Sequence, residues 1–287
     1  MTDRPVFNPA AFGSGKVEVA EVVPDTTQFN PGAINARFET KRQKILDLRT
    51  APLGPVGAWS MSRLSDFESC PYSVYLGKVK KMPSPSGPAA ERGTKIHDHI
   101  EKYIEGEHTE VIKEMKTFIK LIDLLREGYG DTVEIEGDWA FDRPWNTTGW
   151  SDRNAWARFK LDALHHEADT SAMVIDWKTG KKFGNEMKHN QQGMGYAIAA
   201  FERYPQLEYV DVKFAYLDQN DELRGSYTRQ QAALLKPGLE HRADIMTTCT
   251  DFEPKPSFHA CRWCPHGKVQ EGYDEPACAY AHEQVTK

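Results

Sequence analysis

The sequence of 287 residues has no long apolar stretch and no excess of positive charge. No run of apolar residues reaches the about 20 that a membrane-spanning helix needs, so we expect no membrane segment. Its opening stretch, MTDRPVFNPAAFGSGKVEVAEVV, lacks the charged-then-apolar pattern of a secretory signal, and we therefore expect a cytoplasmic protein. The 36 Lys and Arg residues are outnumbered by 42 Asp and Glu residues. Any nucleic-acid binding must then use local basic patches, because the net charge is −6.

Cysteine is also scarce. The five cysteines are Cys70, Cys249, Cys261, Cys264 and Cys278. An odd number without a secretion signal argues against a disulfide framework. Their concentration towards the end of the sequence, with a C-x-x-C pair in CRWC, favours a metal or cluster site. Four thiolates suit either an iron–sulfur cluster or structural zinc, and His259 and His266 could also complete a zinc site.

Helical periodicity dominates the first part of the sequence. Residues 1–57 have scattered Pro and Gly, and we predict a poorly ordered arm there with one short helix over 35–49. Apolar residues at helical spacing predict helices over 60–79, 91–105 and 111–125, with Ser62 as the N-cap of the first.

In the middle of the sequence, apolar residues recur at every second position instead of at helical spacing. Alternating residues predict strands over 132–142, 155–164, 172–178 and 209–218, with a helix over 186–204 between the third and the fourth. In the first strand, Val133, Ile135 and Trp139 should share one face. This order predicts an α/β fold, in which a mixed central sheet is flanked by helices. We expect one domain over 58–287, with a cysteine-rich segment at about 249–280.

The stretch VIDWKTG places a carboxylate and an ammonium at the end of an apolar strand. Asp176 and Lys178 are two residues apart and should point to the same face. The preceding strand carries Asp162, and the short polar turn HHEADTSA should bring the two acids together. Converging carboxylates repel each other unless a cation lies between them, and hard oxygen ligands suit Mg²⁺ or Mn²⁺. Such an ion can polarise a phosphoryl oxygen and lower the pKa of a bound water, which is the chemistry of phosphodiester hydrolysis.

Other polar residues are more ambiguous. A second D-x-K copy, at Asp211 and Lys213, lacks a preceding partner strand, and we predict an exposed strand face there. In the helix over 186–204, the apolar stripe is Met194, Ala197, Ile198 and Phe201. Gln192 and Tyr196 lie on another face, about 200° from Met194, and could meet the sheet edge or a substrate; an ordinary polar face is the alternative. Glu134 and Glu136 are either a further acid or a solvated strand face.

Together these motifs resemble the RecB-like branch of the PD-(D/E)XK nuclease superfamily over about residues 60–278. SRLSDFESCPYSVYL is similar to the leading helix of that family, RGTKIH to its Arg-Gly-x-x-x-His motif, KLDAL to its first acid, VIDWKTG to D-x-K and QGMGY to Q-x-x-x-Y. The resemblance implies a restriction-endonuclease-like core with a metal bound by His97, Asp162, Asp176 and the carbonyl of Trp177. It also implies that Lys178 is the catalytic lysine and that Gln192 and Tyr196 lie near the substrate backbone.

A narrower similarity concerns CRISPR-associated RecB-type exonucleases and the AddB nuclease domain. It implies that Cys70, Cys261, Cys264 and Cys278 hold a [4Fe–4S] cluster that ties the leading helix to the C-terminal segment. The loop before Cys278 is longer than that family's pattern, which leaves Cys249 as a substitute, and structural zinc as the alternative cofactor.

The implied function is that of a metal-dependent exonuclease acting at DNA ends, on single strands, in recombination, repair or phage DNA processing. Recombination or CRISPR-type partner proteins would fit that setting. One alternative is a DNA-end-binding adaptor on a nuclease fold within a recombination or spacer-acquisition complex. Another is a zinc-stabilised structural protein in which D-x-K is a coincidence.

Overall fold

The computed structural model describes residues 31–84, 86–269 and 275–283. Its helices are α1 (Pro31–Thr50), α2 (Met61–Ser69), α3 (Pro71–Val74), α4 (Pro88–Ile104), α5 (Ile119–Gly128), α6 (Glu186–Arg203), α7 (Arg229–Thr247) and α8 (Phe258–Trp263). Its strands are β1 (Val133–Phe141), β2 (Thr147–Thr148), β3 (Ala157–Ala168), β4 (Ser171–Lys178), β5 (Tyr209–Tyr216) and β6 (Asp221–Thr228). Within the described ranges, no helix is long and apolar enough to cross a membrane.

Residues up to Lys44 form a unit of their own, of which the structure describes the first part of α1. Residues 45–287 form the second unit, and it contains the sheet and both apolar cores. All contacts reported below lie within this second unit.

The six strands form one mixed sheet in the order β2-β1-β3-β4-β5-β6. Four neighbouring pairs are antiparallel, whereas β4 and β5 run parallel and are connected through α6. A parallel pair needs such a crossover because the chain must return from the end of the first strand to the end at which that strand began. The predicted α/β fold with a mixed sheet is confirmed.

Each face of the sheet has its own apolar core. One core joins the sheet to α2, α6 and α7, through residues such as Leu64, Ala197, Phe214 and Leu239. The other joins it to α4 and α5, through residues such as Ile100, Ile122 and Ile175. Alternation along β4 therefore turns the even-numbered residues towards α6 and the odd-numbered residues towards α4 and α5.

The first strand departs from the predicted alternation. Val133 packs in the core with α4 and α5, whereas Trp139 packs in the core on the opposite face. Between them, Glu136 has φ +47°, in the left-handed region that interrupts a regular pleat. The prediction that Val133 and Trp139 share a face was wrong, because an alternation argument assumes extended backbone throughout.

The element boundaries bring further corrections. The stretch HHEADTSA is mostly strand, since β3 continues to Ala168 and β4 begins at Ser171. The N-cap of α2 is Ser60, whose Oγ accepts from the Arg63 backbone N–H at 3.3 Å, and Ser62 lies inside the helix. The predicted helix over 60–79 is interrupted at Cys70 (φ −161°), and a π-helical turn, Tyr75–Val79, follows α3. The predicted helix over 111–125 is a 3₁₀ segment, Lys113–Phe118, followed by α5.

Residues 45–57 are not a poorly ordered arm. Arg49 makes two hydrogen bonds to the carboxylate of Glu240 on α7, and the Gly54 N–H donates to the Thr247 carbonyl at 2.7 Å. Val56 is buried in the core beside α7. The short predicted helix over 35–49 is the longer helix α1, and residues 1–30 of the predicted arm lie outside the described ranges.

Candidate active site

The two acids of the predicted site lie where β3 and β4 separate. The ladder between these strands begins at the pair Ala163–Ile175, and one further step in the same register would place Asp162 opposite Asp176. Beyond this point β4 stays paired with β5 as far as Lys178. The Trp177 N–H donates to Asp162 Oδ2 at 2.6 Å, so the Asp162 side chain takes the place of a ladder partner. The end of this hairpin thus presents two carboxylates between diverging backbones.

Asp176 is almost completely buried and fully hydrogen-bonded. Its Oδ1 lies 2.7 Å from the Lys178 Nζ, so the D-x-K pair shares one face as predicted. Its Oδ2 accepts from the Tyr196 hydroxyl at 2.8 Å and from Gln192 Nε2 at 3.2 Å. Lys178 Nζ also donates to Gln192 Oε1 at 3.3 Å. The structure therefore brings D-x-K and Q-x-x-x-Y together around one carboxylate.

Asp162 is paired with the histidine of the R-G-x-x-x-H motif. His97 Nδ1 lies 3.1 Å from Asp162 Oδ1. Burial and the negative charge of Asp176 raise the pKa of Asp162, while His97 opposes this rise. Burial disfavours the charged form of His97, but its hydrogen bond to Asp162 and the charge of both acids outweigh burial and raise the pKa of His97. A positively charged imidazole is thus stabilised beside the acid pair.

The other two residues of that motif explain how α4 reaches the site. A Cβ at Gly93 would lie 2.9 Å from Thr179 Oγ1, just after the end of β4, so only glycine lets the helix approach this closely. Arg92 donates to both carboxylate oxygens of Asp218, each at 2.8 Å, and to Glu114 at 2.7 Å. Gly93 and Arg92 hold α4 against the strand ends, and His97 follows one turn later.

Tyr196 is a core residue as well as a partner of Asp176. Only 5% of its surface is exposed, and its ring stacks on Phe214. Its hydroxyl lies 3.1 Å from the Lys160 carbonyl as well as 2.8 Å from Asp176, so the single proton is shared. The predicted stripe packs in the core, with Ala197, Ile198 and Phe201 buried and Met194 against them. Gln192 and Tyr196 meet the sheet edge at Asp176, which was one of the two predicted alternatives. The predicted substrate contacts of Gln192 and Tyr196 stay predictions.

The chemistry of the acid pair fits a hard divalent cation. Two carboxylates, side by side and mostly buried, supply the oxygen ligands that Mg²⁺ and Mn²⁺ prefer. In the described ranges no three His, Cys, Asp or Glu side chains already surround one metal position. His97 and Lys178 supply positive charge instead, so metal binding requires their polar contacts to rearrange. The Trp177 ring is buried towards α4 and α5, and the role of its carbonyl stays a prediction.

The remaining acidic candidates are held by other partners. Glu134 accepts from the Tyr204 hydroxyl, and Glu136 pairs with Lys160 at 2.8 Å. Asp211 is exposed, as predicted for the second D-x-K copy. Lys213, in contrast, is only partly exposed, and its Nζ lies 3.5 Å from the carboxylate of Glu222 on β6. The sequence did not predict this strand.

The four predicted cluster cysteines line one cavity of about 760 Å³. They are Cys70, Cys261, Cys264 and Cys278, and His259 and His266 line the cavity as well. Cys249 lies outside this lining, and its thiol donates to the Asp251 carbonyl at 3.1 Å. Burial raises the pKa of the Cys264 and Cys278 thiols. The cavity lies between the end of α2 and the C-terminal segment, and no three of these side chains are arranged around a single ion. The cluster that would tie the two segments together stays a prediction.

A second cavity, of about 420 Å³, adjoins the acid pair at Gln192 and Tyr196. Arg63, Trp150 and Arg158 line it, and the sequence analysis identified none of them. They belong to no short motif, since they come from α2, from the loop before β3 and from β3 itself. Only the folded chain brings them together.

The chain was compared with known sequences and structures. A search of curated protein sequences gives no match. A structure described as a candidate exonuclease from Eubacterium rectale is 14% identical, with a TM-score of 0.45, and the match covers 75% of this chain and 90% of that one. An alkaline exonuclease from Laribacter hongkongensis is also 14% identical, with a TM-score of 0.27 and coverage of 67% and 87%. These structural likenesses are too weak to carry an argument.

A family model also matches the chain. The model of the PD-(D/E)XK nuclease superfamily matches residues 58–155 and 158–269, which is well over half of the chain and includes both acids, Lys178, Gln192 and Tyr196. The chain belongs to the PD-(D/E)XK nuclease superfamily.

Proposed function

We propose that this chain is a divalent-metal-dependent DNA exonuclease that hydrolyses phosphodiester bonds at DNA ends, acting on single strands. The observation that supports it most directly is the convergence of Asp162, Asp176 and Lys178 where β3 and β4 separate. Burying two neighbouring acids costs free energy unless each is compensated, and a bound divalent cation would compensate both at once. Membership of a nuclease superfamily supports phosphodiester hydrolysis as the reaction at this site.

The proposed mechanism gives each side chain a separate task. Asp162 and Asp176 would hold Mg²⁺ or Mn²⁺ together with His97, and the bound ion would polarise the phosphate and acidify a water. Lys178 would orient the attacking water and stabilise the negative charge that develops on the phosphate. Gln192 bridges Lys178 and Asp176, so it fixes the distance between these groups. Tyr196 would hold Asp176 in one rotamer by donating to Oδ2.

The test is cleavage of end-labelled single- and double-stranded DNA with Mn²⁺, with Mg²⁺ and with EDTA. The wild type should give metal-dependent ladders, whose direction reports the polarity, and Asp176→Ala should give none. Asp211→Ala is the matched control, because it removes the acid of the exposed second D-x-K copy and should cleave like the wild type. Undiminished cleavage by Asp176→Ala would refute the proposed site. Absence of cleavage by every protein, with DNA still bound, would favour the end-binding adaptor instead.

We also propose that Cys70, Cys261, Cys264 and Cys278 hold a [4Fe–4S] cluster. Its support is that all four line one cavity and that Cys249 does not. A single zinc ion needs four ligands within about 2.3 Å, a compact arrangement that the described cysteines lack. Zinc stays the alternative, because His266 lines the same cavity and its buried Nδ1 has no hydrogen-bond partner in the described part of the chain.

Metal content decides between these cofactors. Anaerobically purified protein should contain iron and sulfide and absorb visible light, and Cys70→Ala should lose both, whereas Cys249→Ala should keep them. Stoichiometric zinc with no iron would support the alternative. Protein that binds neither would refute both.

A further inference from the structure

We infer that the second cavity binds a phosphate of the nucleic-acid strand next to the bond that is cut, with Arg63 and Arg158 as its cations and Trp150 as a stacking surface. We call it the strand cavity; it is lined by Ser60, Met61, Ser62, Arg63, Ser65, Trp150, Arg158, Phe159, Lys160, Lys188, Gln191, Gln192 and Tyr196. This inference rests on the proposed function, because it names the part of the substrate that the same site would hold.

Charge is the first argument. The lining of the strand cavity includes four cationic residues and no carboxylate. Lys160 is neutralised by Glu136, but neither Arg63 nor Arg158 has an ion pair with a carboxylate in the described part of the chain. Two guanidinium groups therefore line one cavity with no carboxylate bound to either of them, although the charge of Asp66 acts on Arg63 from outside the lining. A phosphate is the anion whose geometry a guanidinium fits best.

Incomplete hydrogen bonding is the second argument. The Nε atoms of Arg63 and Arg158 are both buried and have no hydrogen-bond partner among the residues that the structure describes. Arg63 uses one terminal nitrogen to donate to the Ala58 carbonyl. Burial, and then the charge of Arg158, lower the pKa of Arg63, and Asp66 opposes this only through its charge. An anion between the two arginines would relieve their repulsion and accept hydrogen bonds from their terminal guanidinium nitrogens.

The beginning of α2 adds neutral donors to the same cavity. Ser60, Ser62 and Ser65 line it, and Ser60 is the N-cap of the helix. The N-terminus of a helix carries partial positive charge and suits phosphate oxygens. Ser62 is exposed, and its hydroxyl lies 3.1 Å from Ser60 Oγ at the edge of the cavity, where a ligand can reach it.

Trp150 indicates what lies beside the phosphate. Its side chain is partly exposed in the loop between β2 and β3, and the Arg158 guanidinium lies 5.5 Å from the centre of its ring. An indole held next to a phosphate-binding arginine can stack on a base, which is the usual mode of single-strand binding without sequence preference. A volume of about 420 Å³ suits one unpaired nucleotide.

The position of the strand cavity connects it to the chemistry. Gln192 and Tyr196 line it and also donate to Asp176. A strand that lies along this wall would therefore pass directly from the arginine pair to the acid pair. The arginines would then be positioning residues, since they hold a phosphate that is not cleaved.

The experiment measures binding separately from cleavage. A short fluorescein-labelled single strand is titrated in EDTA at several salt concentrations, with wild type, Arg63→Gln, Arg158→Gln, their double variant and both Arg→Lys variants. Each Arg→Gln change should weaken binding about tenfold. The slope of log affinity against log salt should decrease by about 0.7 for each lost phosphate contact. Lysine at either position should restore most of the slope, and Trp150→Ala should weaken binding about tenfold for every base sequence.

Lys116→Gln is the matched control, because it removes one exposed cation from the 3₁₀ segment before α5 and should bind like the wild type. Thermal unfolding shows whether each variant is folded. Ser62→Ala and Trp150→Ala alter only exposed or partly exposed side chains, so they test the same cavity if an arginine variant is unstable.

Two results separate this inference from the proposed function. If the wild type cleaves DNA but the double variant binds with unchanged affinity and salt slope, the strand cavity is refuted and the nuclease stands. If the arginine variants lose binding but no protein cleaves, the strand cavity is supported and the proposed nuclease fails. Weakened binding together with a raised KM for cleavage, and a smaller change in kcat, supports both.

Discussion

The hydroxyl of Tyr196 donates to Asp176 Oδ2 at 2.8 Å, although the tyrosine ring belongs to the core between α6 and the sheet. One side chain therefore supports the fold with its ring and orients a site carboxylate with its hydroxyl. Gln192 donates to the same oxygen at 3.2 Å, so Asp176 has a second donor on this side. This redundancy allows the contribution of the hydroxyl to be measured alone.

We expect Tyr196→Phe to remain folded and to lower the rate of DNA cleavage about tenfold. The ring keeps its packing, while loss of one hydrogen bond to a buried carboxylate costs about 1–3 kcal/mol. Cleavage kinetics with Mn²⁺, together with thermal unfolding, would measure both effects. Tyr209→Phe is the control, because Tyr209 is 61% exposed at the start of β5. Equal cleavage by Tyr196→Phe and the wild type would show that the hydroxyl does not support the reaction.

Divalent metal should stabilise the wild type against heat, and Asp176→Asn should lose this effect. A ligand that binds only the folded state adds about 2.7 kcal/mol when it is present at about 100 times its Kd. The metal-free acid pair is a source of repulsion, since the charge of Asp176 helps to raise the pKa of Asp162. Thermal unfolding over a Mn²⁺ titration, with a chelator as the reference, tests this. A melting temperature that is independent of metal would contradict the proposed ligand set.

Gly93→Ala should impair cleavage more than it impairs folding. An added Cβ would lie 2.9 Å from Thr179 Oγ1, so either the Thr179 side chain rotates at the end of β4 or α4 moves away and carries His97 with it. Removing the hydroxyl in the double variant Gly93→Ala/Thr179→Ala should recover part of the activity, and this recovery is a coupling that a double-mutant cycle measures. Gly238→Ala is the control, because nothing lies within 4 Å of its added Cβ. Purely additive effects of the two changes would exclude the contact as the cause.

The stability of the protein should fall as the pH drops below about 6.5, with a contribution from His189. Burial, followed by the charge of Lys178, lowers the pKa of His189 to about 4. The pKa of histidine in the unfolded chain is about 6.5. Between this value and the lower folded pKa, the imidazole is protonated in the unfolded chain but neutral in the folded one, so the free energy of unfolding decreases with falling pH. His189→Gln should show a smaller decrease between pH 7 and pH 5. The two-dimensional NMR signal of the ring gives a direct check, and a midpoint near pH 6.5 would contradict this environment.

Glu240→Ala should destabilise the protein by about 1–3 kcal/mol without affecting the acid pair. The carboxylate accepts from Trp145 Nε1 at 2.8 Å and binds Arg49, and its loss leaves the buried indole N–H without a partner. Chemical unfolding measures the change, and Glu253→Ala is the control at an exposed position. A null effect would mean that residues 45–57 are held by other contacts.

Sequence reasoning succeeded where a motif and a regular period coincide. Asp176 and Lys178 share a face because β4 is regular, and Asp162 meets Asp176 because a hairpin joins their strands. Sequence reasoning did not predict β6 or α7. The stretch DELRGSYT, which forms β6, has little apolar character because this strand lies at the edge of the sheet. Sequence reasoning also failed at Glu136, where one left-handed residue redirects the strand. Arg63, Trp150 and Arg158 were out of reach because nothing local in a sequence marks residues that meet only in the folded chain.

The double use of Tyr196 constrains how this protein can be redesigned. A substitution of Tyr196 that alters the wall of the strand cavity also disturbs the packing between α6 and the sheet. The opposite wall is different, because Ser62 at the start of α2 and Trp150 in the loop before β3 are exposed or partly exposed and contribute little to either core. Changes of substrate preference, by natural variation or in the laboratory, should therefore accumulate on that wall, where sequence can vary at little cost to stability.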